Sequence, residues 1–135
     1  MNKYDKIISL LIAIQNFAKD IHYNAKGDAF YSKHLFCDRI EEPIADFIDE
    51  IKEVVILGSG EVPPSSKEYL RNAVMEIPDI TSDDKTSFEM LLDLISRTLQ
   101  AIEELDNMTK GEENVFGGIA QHLQTMLGLL NRQVL

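Results

Sequence analysis

The side chains His22, His34, Asp38, Asp49 and Glu53 have the types and spacing to hold a metal ion. Imidazole nitrogens with carboxylate oxygens make a mixed nitrogen and oxygen ligand set of the kind that holds a metal ion. His34 and Asp38 are four residues apart, and so are Asp49 and Glu53, so each pair shares one face of a helix. Eleven residues separate Asp38 from Asp49, close to three whole turns, which sets both pairs on nearly the same face. Along the axis, however, eleven residues rise about 16 Å, whereas metal–ligand bonds are about 2 Å long. The two pairs therefore cannot share an ion within one chain. A second copy of this helix, antiparallel across a two-fold axis, would set Asp49 and Glu53 of one chain opposite His34 and Asp38 of the other, at two equivalent sites. His22 could complete each site. The same pattern also fits a solvated acidic face with two incidental histidines.

These residues need long helices to carry them, and the apolar periodicity supplies four. The first is expected over about Lys3 to Lys26, with a stripe of Tyr4, Ile7, Ile8, Leu11, Ile14, Phe17, Ala18 and Ile21, ended by Gly27 and Asp28. The second is expected from about Ala29 to Leu57, along Cys37, Ile40, Ile44, Phe47, Ile48, Ile51 and Val55; Pro43 could split it into two helices, but the unbroken stripe favours one helix bent there. Gly58 to Gly60 close it. Ser65 and Glu68 read as a capping box for a short helix reaching about Glu76. The third long helix should start near Ser82, with Asp83 and Asp84 in its first turn, and end near Lys110 and Gly111. The fourth should start at Glu112 or Glu113 and bury Phe116, Ile119, Leu123, Met126, Leu127, Leu130 and Val134. Two helical hairpins joined by a long connection describe a single all-α domain over 1–135, a four-helix bundle with a short helix in the crossover between the second and third helices.

Composition narrows the partners. A net charge of -10 on 135 residues argues against attraction to DNA phosphates or anionic lipid, and is as compatible with drawing cations as with mere solubility. Cys37 is the one cysteine, so no disulfide can form within a chain, and a reducing cytoplasm is the expected compartment. Its place in an apolar stripe marks it as a core residue rather than a nucleophile. The apolar run Ile7–Ile14 is too short to span a bilayer, and nothing after it resembles a signal-peptide cleavage site.

The run Ile21-His22-Tyr23-Asn24-Ala25-Lys26-Gly27, followed by Phe30, His34, Asp38, Asp49 and Glu53, resembles the ferroxidase signature of the Dps family of ferritin-like proteins. That family shows a His-Trp-Asn-x-Lys-Gly run, a second histidine twelve residues after the first, and then Asp-x-x-x-Glu. Gly58, Gly60, Pro63 and Lys67-Glu68-Tyr69-Leu70 also resemble its crossover, so the resemblance is strongest over residues 17–70. It implies a homododecameric cage that oxidises Fe(II), usually with hydrogen peroxide, and stores ferric mineral. It further implies that His22, His34 and Asp38 come from one chain and Asp49 and Glu53 from its two-fold partner, with Asp38 acting on a second metal or through water. A metal centre inside each bundle, as in other ferritins, would need Glu-x-x-His, and no histidine here has a glutamate three residues before it. The other reading is a structural or interaction bundle that keeps the fold without the chemistry.

The chain departs from the family pattern in several places. Tyr23 stands where the family has tryptophan, and Pro43 interrupts the second helix. Only Met1 and Asn2 precede the first helix, so DNA binding is not expected at physiological salt. Asn114 to Leu135 carries no acid, so either iron enters near Glu112 and Glu113 or the pore differs from the family's, and His122 reads as structural. Glu41, Glu42, Asp46 and Glu50 fit either mineral nucleation or a solvated surface.

Overall fold

Asn2 starts the first helix, α1 (Lys3–Asn24), by accepting the Asp5 amide on its side-chain oxygen at 2.8 Å. The expected stripe from Ile7 to Ile21 is buried, with Tyr4 partly so. The computed structural model describes residues 2–135, and all its regular elements are helical, with no strand among the described residues. After α1 come α2 (Phe30–Glu41), α3 (Ile44–Glu50), a π-helical stretch Ile51–Ile56 and a 3-10 turn Leu57–Ser59. Then follow α4 (Ser66–Val74), α5 (Asp84–Glu103) and α6 (Lys110–Gln133). Four rods close a ring around one core. α1 packs on α2 and α5, α5 packs on α6, and α6 returns onto α3 and the π-helical stretch. Among the described residues no helix is long and apolar enough to cross a membrane.

The second rod is two helices rather than the expected single bent one. Pro43 has no amide to give to Arg39, so the ladder breaks there, although the Glu42 amide still reaches the Asp38 carbonyl at 2.9 Å and the Pro43 carbonyl accepts the Phe47 amide at 3.1 Å. Glu42 and Pro43 keep right-handed dihedrals, so α3 continues from α2. His122 on α6 supports the break: its Nε2–H donates to the Ile40 carbonyl at 3.1 Å, and its ring lies 5.5 Å from that of Phe47. Farther along, the wide π turns bury Ile51, Val55 and Ile56 while Glu53 stays exposed.

The crossover helix α4 lies against α1. Buried Tyr69 donates its hydroxyl hydrogen to the buried Asp5 carboxylate at 2.7 Å. The expected capping box at Ser65 does not form, because the Ser65 side chain caps nothing and Glu68 turns to Arg71 at 3.0 Å. The same Ser/Thr-x-x-Glu pattern is realised at Thr109 and Glu112, which start α6 earlier than expected, at Lys110. α5 is correspondingly shorter than the helix expected to reach Lys110 and Gly111. It ends at Glu103, the chain turns through left-handed Asn107, and Leu105 is buried from the loop.

Candidate metal centre

His22 lies in the last turn of α1 and His34 in the second turn of α2. Between them the chain reverses through Gly27 (φ 77°) and Ala29 (φ 62°). Ala29 has a side chain and is held in the left-handed region at a cost of about 1–2 kcal/mol, so the rest of the hairpin must enforce that turn.

The turn brings the two imidazoles face to face, with ring centroids 3.5 Å apart and planes at 28°. Their hydrogen bonds are reciprocal. His22 Nδ1 donates to the His34 carbonyl at 3.0 Å, and His34 Nδ1 donates to the His22 carbonyl at 3.1 Å. A carbonyl oxygen only accepts, so each Nδ1 carries the hydrogen. In the neutral rings each Nε2 then keeps its lone pair, as a metal-ligating histidine requires. Asp38 Oδ1 stands 3.2 Å from His22 Nδ1, which leaves the second oxygen of Asp38 for a metal or a water. Ligand-capable atoms of His22, His34 and Asp38 all lie within 4.8 Å of one another.

Aromatic rings surround the pair. Tyr23 meets His22 edge-on at 4.8 Å, Phe30 lies 5.3 Å from His34, and Tyr31 lies 6.5 Å from it. His22 is buried, yet Tyr23 is 76% and Tyr31 69% exposed, so the rim of the site faces outward.

Asp49 lies in α3 and Glu53 in the π-helical stretch. Both are exposed, and neither joins the histidine group within this chain. Of the four acids considered for mineral nucleation, Glu42, Asp46 and Glu50 are exposed. Glu41 is not a free wall acid: it is buried and paired with Lys19 at 3.2 Å, and that bond raises the Lys19 pKa. Glu112, one of the two candidate entry acids, accepts the Thr109 amide in the α6 capping box, and Glu113 is exposed. Burial pushes the Cys37 thiol up to about 12, with the charges of Asp38 and Asp84 adding to it, as befits a core residue.

Sequence reasoning missed the residues that brace the hairpin. Asp84 Oδ2 accepts the Lys26 amide at 3.1 Å and the Lys33 ammonium at 3.0 Å. Lys33 also donates to the Lys26 carbonyl, and Asn24 donates to the Thr81 carbonyl at 2.7 Å. Burial works to raise the Asp84 pKa, but the hydrogen bonds and charges of Lys26 and Lys33 outweigh it and hold the carboxyl below its ordinary value. The available signal was two lysines flanking a glycine turn with a carboxylate at the start of a later helix. By sequence alone that carboxylate has a sufficient role as a partner for its own helix dipole.

No protein-family model matches this chain, and no curated protein matches it significantly.

Proposed function

We propose that this chain is a ferritin-like protein of the Dps type that takes Fe(II) as its substrate and oxidises it. His22, His34 and Asp38 bind from one copy, and Asp49 and Glu53 of a second copy complete each site. The observation that carries this reading is the reciprocal hydrogen bonding of the two imidazoles, which leaves both Nε2 lone pairs free, with the Asp38 carboxylate 3.2 Å from His22 Nδ1. A pair of histidines that only filled space would not need both rings in the same tautomer. Carboxylates from the second copy would favour the ferric product, because hard anionic oxygens bind the more highly charged ion more strongly. With peroxide as oxidant the balance closes simply. Two Fe(II) ions each lose one electron, the O–O bond of peroxide takes both and breaks, and two hydroxides result.

The outer surface supports a partner on this side. Tyr23, Tyr31, Leu35 and Val54 are exposed apolar or aromatic side chains on the elements that carry the five ligands. Twelve chains of 15.3 kDa would form a cage of about 184 kDa, with ferric mineral inside, in the cytoplasm. The acidic balance of the chain speaks against DNA as a partner.

The test is Fe(II) oxidation by stoichiometric peroxide, followed by absorbance, beside a His34→Ala/Asp49→Ala variant, with the solution mass measured on both. Fast oxidation by the wild type alone, in an assembly of cage mass, supports the reading. Oxidation no faster than buffer would favour a structural bundle, a reading consistent with Asp49 and Glu53 standing apart from the histidines within one chain.

A further inference from the structure

We infer that Asp84 is a positioning residue for the metal site, and that it acts by taking the backbone amide that would otherwise compete for the carbonyl holding His34. This inference rests on the metal-site reading only in its consequence for binding; the hydrogen bonding itself is a property of the chain without metal.

In a continuing α-helix each carbonyl accepts the amide four residues later. At the end of α1 that pattern holds for Ile21, whose carbonyl accepts the Ala25 amide at 2.8 Å. The next carbonyl belongs to His22, and its helical partner would be the Lys26 amide. That amide points elsewhere, to Asp84 Oδ2 at 3.1 Å. The His22 carbonyl takes the Nδ1–H of His34 instead, at 3.1 Å. The chain leaves the helix at Ala25 (ψ 146°), the carboxylate on α5 holds the Lys26 amide away from the His22 carbonyl, and that orphan carbonyl is the acceptor that selects the His34 tautomer.

Lys33 strengthens the arrangement. It precedes His34 on α2 and donates to Asp84 Oδ2 and to the Lys26 carbonyl. The same carboxylate oxygen therefore grips both arms of the hairpin, one through a backbone amide and one through an ammonium group. The side chain of Asp84 is 12% exposed, so water competes little for these bonds. Neighbouring Asp83 makes a useful contrast. It caps α5 through Thr86, and no bond joins it to the hairpin.

The experiment compares wild type with Asp84→Ala, Asp84→Asn and Asp83→Ala. Asparagine keeps an oxygen that can accept the Lys26 amide, whereas alanine does not. The first readout is the imidazole 15N spectrum of the metal-free protein at alkaline pH, which reports the ring tautomer directly. The second is Co(II) affinity from its visible absorption. In wild type, Asp84→Asn and Asp83→Ala, the His34 ring should carry its hydrogen on Nδ1. In Asp84→Ala it should shift toward the Nε2–H form, and Co(II) affinity should fall by about 10-fold or more, the usual cost of losing an outer partner of a ligating histidine. Helical circular dichroism on all four proteins identifies any variant that fails to fold; if Asp84→Ala is one, hydrogen exchange of the Lys26 amide in wild type carries the test, a protected amide supporting the inference and a freely exchanging one overturning it. An unchanged His34 tautomer in folded Asp84→Ala, or an equal shift in Asp83→Ala, would overturn the inference. Absence of Co(II) binding by wild type would overturn the metal-site reading instead, and the tautomer comparison would still decide the role of Asp84.

Discussion

Two variants that are each inactive should restore activity when they assemble together. One carries His34→Ala and the other Asp49→Ala. Each homogeneous assembly lacks a ligand at every site, because the proposed centre draws His34 from one chain and Asp49 from the next. In a mixed two-fold pair the lesions fall unequally: one of the two sites collects both substitutions, and the other retains His34 and Asp49 intact. With equal co-expression and random pairing, half of the pairs are mixed and half of their sites are whole. About one quarter of wild-type oxidation per chain should therefore return. The structure makes this sharp, because His22, His34 and Asp38 gather within one chain while Asp49 and Glu53 stand apart from them. The assay is the initial rate of Fe(II) oxidation at matched protein concentration, with the subunit ratio fixed by mass spectrometry. No recovery in assemblies that are shown to be mixed, folded and of wild-type mass would refute the shared site.

Other outcomes follow from the same structure. Cys37 should resist a thiol reagent at pH 8 in the folded protein and react at once in denaturant, since burial pushes its thiol up to about 12; rapid native labelling would contradict its place in the core. His122→Phe removes the donor to the Ile40 carbonyl beside the Pro43 break and should cost about 1–3 kcal/mol in urea unfolding, with His122→Gln losing less; equal stabilities would show that the carbonyl finds another donor. Asp84 has a folded pKa below its unfolded one, so its contribution is present above the unfolded value near 4 and is lost as pH falls through the folded value. Asp84→Asn should therefore be less stable than wild type at pH 7, with the two converging in strong acid; a constant gap across pH would assign the effect to something other than the charge.

The parts of this molecule that were legible in the sequence are those governed by one face of one helix. The stripe from Ile7 to Ile21 is buried as its period requires, and His34 and Asp38 share a face because four residues make about one turn. What was not legible depends on competition between partners far apart in the chain. Ser65-x-x-Glu68 and Thr109-x-x-Glu112 are equivalent as strings, yet Glu68 has Arg71 to pair with and only the second motif closes. Pro43 signalled a disturbance, but its outcome depends on His122, eighty-two residues from Ile40, supplying a hydrogen. The left-handed Ala29 carries no sequence signal, because alanine is among the poorest residues to announce such a turn. Asp49 and Glu53 share a helix face by their spacing, but both are exposed and nothing within one chain fixes what they face.

The reciprocal bonds between His22 and His34 also bear on the order in which the chain can fold. They join positions only twelve residues apart, and Asp38 lies four residues beyond. Closing so short a loop costs little entropy compared with bringing α5 and α6 onto the hairpin. Contacts of such low sequence separation form early, whereas the Asp84 brace, more than fifty residues away, must wait for the distant helix to arrive. The two histidines can thus meet in a nascent hairpin that still lacks its final tautomers, and the arrival of α5 converts that loose encounter into a set geometry.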